Sequence, residues 1–273
     1  MIATFHNHST WSDGRSSFSE IHAFAKSAGV EILGLSDHFC IYPDGTVPDY
    51  SLAPSQVEEY LEDVRSFRDH GDIEIRVGLE FDWFEGHKDL IAPFVERIPV
   101  DYRIGAIHHV EMQQFDVDTS FWTSKTADEQ DAVYIKYWQL VREMAESRLF
   151  DIAAHLDIPK KFGFYPNSDI GAVIDEAIDS IKEAGMVVEL NTAGYMKPCA
   201  DGYPSLDILK RCCKREIPIT LSSDGHLPEH ILFEFDRGLA RLKKAGFTSI
   251  TRFRDGDRWS EPLENAIKQG VPS

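Results

Sequence analysis

Short apolar runs alternate with longer amphipathic ones along almost the whole chain, and that alternation limits it to folds built on a mostly parallel sheet. Runs at 2–5, 32–36, 75–80, 102–107, 152–154, 187–190 and 219–222 read as strands, with a further one at 249–253. Between them, apolar residues recur at helical spacing. Ser17-Phe18-Ser19-Glu20 is a capping box opening a helix to about residue 28, where Gly29 stops it. Ser55-Gln56-Val57-Glu58 is a second box, followed by the stripe Val57, Tyr60, Leu61, Val64 and Phe67. A third, Thr126-Ala127-Asp128-Glu129, starts the longest helix, with Tyr134, Tyr137, Trp138, Val141 and Ala145 on one face. Further helices are predicted at 88–96, 170–184, 206–215 and 233–245, and a long aromatic and acidic loop at 110–125. About seven β/α units within 273 residues favour one closed barrel over an open sheet, so the chain is read as a single domain, 1–273.

The chemistry-bearing residues fall at the same place in successive units. His6 and His8 end the first run and, two apart on a strand, face the same side. The turn Ser12-Asp13-Gly14 lets Asp13 swing back over them. Asp37-His38, Glu80, His108-His109, His155, and Asp224 with His226 end later runs. All sit at strand C-terminal ends, the rim where α/β barrels build their sites. Imidazole and carboxylate donors together suit Zn, Mn or Fe. The remaining histidines read differently. His22, His70 and His230 are placed on the surface, and His87 at a helix cap. His109 alternates away from His108, and Asp37 faces away from the cluster to orient a neighbouring N–H. Trp11, Trp83 and Trp122 are taken as core or pocket wall.

A formal charge of −18 counts against sequence-independent nucleic-acid binding, which needs a basic surface, so no nucleic-acid partner is expected. Cys40, Cys199, Cys212 and Cys213 form no Cys-x-x-Cys pair and read as free thiols. No signal peptide or apolar span is visible, so no membrane is expected and the cytoplasm is the predicted location.

These motifs resemble those of the PHP (polymerase and histidinol phosphatase) metallophosphoesterases. The resemblance lies in His6-Asn7-His8 with Ser12-Asp13-Gly14, Ser36-Asp37-His38, Gly78-Leu79-Glu80, His108, His155 and Asp224-Gly225-His226. Stretches 101–108, 149–157, 160–163 and 189–194 resemble the bacterial histidinol-phosphatase branch. The resemblance implies a distorted, TIM-like (β/α)7 barrel of the PHP type with about three metal ions. His6, His8, Glu80 and Asp224 would hold one ion, and Glu80, His108 and His155 a second. Asp13, His38 and His226 would hold the third. Thr4, Ser36 and Gly225 stand where many relatives have Asp, Thr and Ala, and read as packing differences around an intact ligand set.

The activity implied is hydrolysis of a small phosphate monoester, L-histidinol phosphate, with two ions about 3.5–4 Å apart sharing the attacking water as a hydroxide. Glu80, Asp13, His38 and His226 stand nearest the reacting atoms in that scheme. Lys160, Lys161, Lys197 and His109 are the candidates for the substrate side, and the general acid is left open between His109 and a bound water. Three other readings remain: a PHP phosphoesterase for nucleotides, a metal-dependent amidohydrolase, and a binding module that has lost turnover. The oligomeric state is not legible in the sequence.

Overall fold

The apolar runs pair in parallel in a computed structural model of the chain, which describes residues 1–68, 71 and 73–267. β1 (Ala3–Thr4) pairs with β2 (Ile32–Leu35), which resumes as β3 (His38–Phe39) after a two-residue break. Both β2 and β3 lie along β4 (Glu74–Asp82), whose far edge pairs with β5 (Tyr102–Ala106). A small antiparallel hairpin, β6 (His109–Val110) with β7 (Gln113–Gln114), follows. β8 (Ile152–Ala153), β9 (Val187–Asn191) and β10 (Ile219–Ser222) complete the parallel series. The edges meet where Asn7 bridges Gly225 in parallel, the His8 N–H donating to the Gly225 carbonyl at 2.9 Å. The result is the nearly closed seven-strand α/β barrel that the alternation predicts.

Helices cover the outside because each buries one apolar stripe. α1 (Phe18–Ser27) and α5 (Ala127–Ser147) start on the predicted capping boxes of Ser17 and Thr126. The box predicted on Ser55 does not form. Pro54 carries the fixed φ suited to a first helical position, so a 3-10 turn begins there instead. Gln56 then accepts from the Ala53 N–H at 3.0 Å, and α2 (Val57–Ser66) follows. α3 (Lys88–Arg97), α6 (Gly171–Ala184), α7 (Leu206–Lys214) and α8 (Phe235–Ala245) stand close to their predicted ranges.

Two segments depart from expectation. Residues 110–125 hold most of the hairpin and the short helix α4 (Ser120–Thr123), pinned by buried Phe115 and Trp122, whose indole N–H donates to the Phe115 carbonyl at 2.7 Å. Their aromatic residues anchor irregular backbone, which leaves no period to read. The run at 249–253 is β11 (Ser249–Arg254), but it stands outside the barrel, antiparallel to β12 (Asp257–Pro262), before α9 (Leu263–Ile267). This hairpin stops the bottom of the barrel: Phe253 meets Phe5 at 5.3 Å and Tyr102 at 5.8 Å, and the Arg76 Nε donates to its carbonyl at 3.0 Å.

Tyr102 fills the interior beneath the site. A Cβ on Gly34 would stand 2.3 Å from its hydroxyl oxygen, and one on Gly78 2.4 Å from its ring, so both strands need glycine there. The hydroxyl donates to the Phe5 carbonyl, with that of Leu35 3.1 Å away. One buried group thus ties β5 to the residues just before His6 and Ser36.

Candidate metal centre

Strand register brings distant ligands together. His38 lies directly opposite Glu80 across β3 and β4, and its Nδ1 is 2.8 Å from the Glu80 Oε2. Glu80, 1% exposed, is the hub. Its Oε1 is 2.9 Å from His155 Nε2, 3.3 Å from His6 Nε2 and 3.8 Å from His108 Nε2. Asp224 Oδ1 is 3.0 Å from His8 Nε2 and 3.7 Å from His6 Nε2. At the outer edge, Asp13 lies 3.2 Å from His226 Nε2 and 3.6 Å from His38 Nε2. All nine metal-ligating candidates fall into four overlapping groups with donor atoms within 4.8 Å of one another: His8, Asp13, His38 and His226; His6, Glu80 and His155; His6, His8 and Asp224; His38, Glu80 and His108.

These donors fit a cluster of cations. His6 Nε2, both ring nitrogens of His8, His38 Nδ1, Glu80 Oε2 and Asp224 Oδ1 are buried with no hydrogen-bond partner, so the close approaches among them are misaligned as hydrogen bonds. Buried polar groups left unpaired are costly, and a bound ion would satisfy several at once. Burial opposes ionisation of Glu80, yet the charges of His6 and His38 hold it well below the usual carboxylate range. Asp224 is likewise held low against its burial by His6 and His8. Both carboxylates are therefore in their ligating form.

A second layer aims the imidazoles. Glu189 Oε1 is 2.8 Å from His6 Nδ1, and its other oxygen accepts from the His155 N–H at 2.9 Å and the Asn191 side chain at 3.1 Å. Asp82 stands 2.5 Å from His108 Nδ1. Such carboxylates fix the ring orientation and the nitrogen left facing inward. Neither was singled out in the sequence, although Asp82 is two positions from Glu80 on the same strand and Glu189 interrupts an apolar run. Asp37 faces away from the cluster as expected, accepting from the Ser9 N–H at 2.7 Å, the Ser9 hydroxyl at 2.8 Å and the Ser12 hydroxyl at 2.6 Å, which holds the turn carrying Asp13. Thr4, Ser36 and Gly225 all surround Asn7: its amide donates to the Thr4 hydroxyl, its N–H to that of Ser36, and a Cβ on Gly225 would stand 3.1 Å from its Oδ1. Glu189→Gln is expected to weaken metal binding by about tenfold or more, the scale of such outer partners, with the fold retained. Titration against a competing chelator measures it.

Over the cluster opens a cavity of about 780 Å³, with Asp13, His38, His108, Asp224 and His226 at its floor. Lys161 and Lys197 line its wall, the first 3.1 Å from Asp116. Burial, then the charge of Lys161, pushes the Lys197 pKa down. Lys160 is not on the wall. It is 1% exposed, with its Nζ 2.9 Å from each of Asp157, Asp201 and the Gly202 carbonyl, because successive residues of a 3-10 turn point in different directions. His109 also leaves the substrate side, packed between Tyr42 and Phe84 at 5.5 and 5.0 Å, since its neighbour His108 takes the inward face. His22 is buried against Phe18 and Phe67 rather than at the surface, and His230 lines the cavity. His87 takes the N-cap position of α3 without a side-chain cap bond, and His70 lies outside the described residues. Trp83 and Trp122 are core; half-buried Trp11 donates to Asp63 at 2.8 Å. The four cysteines are free thiols, and no described helix is long and apolar enough to cross a membrane.

The sequence profile of the PHP domain matches residues 4–193. A probable histidinol-phosphatase of Deinococcus radiodurans is 30% identical over 229 residues, covering 83% of this chain and 86% of its own. The histidinol-phosphatase of Bacillus subtilis is 23% identical over 240 residues, 80% of this chain and 90% of its own. The fold matches that of histidinol phosphate phosphatase from Lactococcus lactis, solved with zinc, L-histidinol and phosphate. The TM-score is 0.78 at 22% identity, over 94% of this chain and 98% of that one.

Proposed function

The chain belongs to the PHP domain family, and from that premise we propose that it is a metal-dependent phosphomonoesterase that cleaves L-histidinol phosphate to L-histidinol and inorganic phosphate. The observation that carries this reading is the convergence of nine imidazole and carboxylate donors, Glu80 at their hub, beneath a cavity with lysines on its wall. The substrate comes from the relatives, which are named for that reaction.

In this reading His6, His8, Glu80 and Asp224 would hold one ion; Glu80, His108 and His155 a second; and Asp13, His38 and His226 a third. Zinc, manganese and iron all accept these donors. When bound, the ions supply Lewis acidity and a strong nucleophile at neutral pH for in-line displacement at phosphorus. The chain itself sets the geometry. Glu80 presents one oxygen toward His6 and the other toward His38, so it would be shared between ions, and Glu189 and Asp82 keep His6 and His108 turned inward. Lys197 offsets the phosphoryl charge from the wall, beside a Lys161 already paired with Asp116, where partial exclusion of water strengthens the contact. The work is done by one domain, in the cytoplasm, where four free thiols persist.

The test is phosphate release by purified protein whose metal content has been measured per chain. L-histidinol phosphate should give a kcat/KM at least about a hundredfold above p-nitrophenyl phosphate and mononucleotides, since esters that leave the polar groups of the site unpaired are rejected at least that strongly. Equal rates across the panel would overturn the substrate assignment.

A further inference from the structure

The turn that carries Asp13 also places an arginine that the ligand set does not use. Gly14 packs so tightly that a Cβ there would stand 2.4 Å from the His8 carbonyl oxygen, and the Arg15 N–H donates to the His226 carbonyl at 2.9 Å. The backbone of residues 14 and 15 is therefore clamped between two ligand-bearing segments, and the exposed Arg15 side chain is delivered to the cavity wall. Lys197, just past the 3-10 turn after β9, and His230, at the end of the 3-10 turn Pro228–His230, line the same cavity.

Acidic residues outnumber Lys and Arg by 46 to 28, yet among the described residues no carboxylate lies within 4.0 Å of Arg15 or Lys197. Their neighbours are paired: Lys161 with Asp116, Lys160 with Asp157 and Asp201. The field of these cations is felt locally. Burial lowers the His230 pKa, and although Glu229 pulls it up, the charges of His226, Lys197 and Arg15 push it further down. An anion seated among them would relieve that repulsion. A guanidinium also matches a phosphate with two parallel hydrogen bonds, which a lysine cannot do.

We propose that Arg15, with Lys197 and His230, forms a phosphate-binding rim outside the ion cluster, which takes the phosphate dianion of the substrate as it arrives and inorganic phosphate as it leaves. The inference rests on the phosphatase reading and adds to it a recognition site on the first turn of the chain. Arg15 is exposed and supports no other side chain by any bond among the described residues, so its replacement leaves the fold intact.

The experiment compares Arg15→Gln, Arg15→Lys and Arg97→Gln, the last removing the same charge from an exposed position at the end of α3. In metal-loaded enzyme, Arg15→Gln should raise both the KM for L-histidinol phosphate and the inhibition constant of inorganic phosphate by about tenfold, the value of one charge-assisted pair. Arg15→Lys should recover part of each, and Arg97→Gln neither change. A rise confined to KM assigns the rim to substrate, and one confined to the inhibition constant assigns it to product. No rise in either, or an equal rise in Arg97→Gln, overturns the proposal. In metal-depleted protein, inorganic phosphate should raise the thermal midpoint of the wild type and not of Arg15→Gln. That shift persists if the substrate assignment fails, and its absence in the wild type would reject the rim even if the substrate assignment holds.

Discussion

Under the proposed reading, Glu80→Gln is expected to leave the barrel folded, to lower kcat by about a thousandfold or more, and to reduce metal content at two positions together. The amide keeps the volume of the carboxylate, so packing around β4 is preserved, but its charge is gone from the point where His6, His38, His108 and His155 converge. One oxygen of an amide can still accept a hydrogen bond; its nitrogen cannot ligate a cation in place of Oε2. The joint loss distinguishes a shared ligand from a private one, because a ligand to one ion would empty one position. Phosphate release and metal content per chain, measured on the same preparation with a thermal melt, check all three parts. Activity equal to wild type contradicts the role of Glu80.

Lys160→Met is expected to destabilise the protein by about 3 kcal/mol, the cost of leaving the buried Asp157 carboxylate without its cation. Asp157 and Asp201 both depend on this side chain, and Arg241, 2.6 Å from Asp201, offsets only the second. For a chain of this size that is a fall in thermal midpoint of roughly 6–12 °C. The effect reaches the site as well. Lys160 fastens the segment after β8, which carries Ile158 and Lys161, to the segment after β9, which carries Lys197 and Tyr203; all four line the cavity. Loosening that tie should raise KM in the surviving folded enzyme. Thermal melts and saturation kinetics measure the two consequences, and a variant with wild-type midpoint and KM would show the buried pairing to be dispensable.

The elements that could be read from the sequence were those where local pattern and tertiary need agree. His6 and His8 are two apart at the end of an apolar run, and strand alternation alone puts them on one side. Ser17 and Thr126 cap their helices by contacts within four residues, so their boxes formed as predicted. Ser55 lost its box to a competing local preference, the φ of Pro54. What could not be read depends on direction within irregular backbone. Lys160 and Lys161 are adjacent, chemically identical and oppositely employed, one as a buried strut and one on the cavity wall. Glu189 hides in Val187-Val188-Glu189-Leu190-Asn191, where a polar residue in a strand reads as solvent-facing until the barrel closes around it. β11, Ser-Ile-Thr-Arg-Phe-Arg, alternates apolar and polar residues as a strand does, and only its pairing with the polar β12 reveals that it lies outside the barrel.

The stopper formed by β11 and β12 has a kinetic corollary. With Phe253 wedged against Phe5 and Tyr102, the far end of the barrel is plugged among the described residues, and the cavity opens at the mouth above the ligand cluster. Under the proposed reaction, alcohol and phosphate would then leave through the passage by which the ester enters. Whichever departs last obstructs the next arrival, and turnover at high product levels is governed by traffic through that one opening.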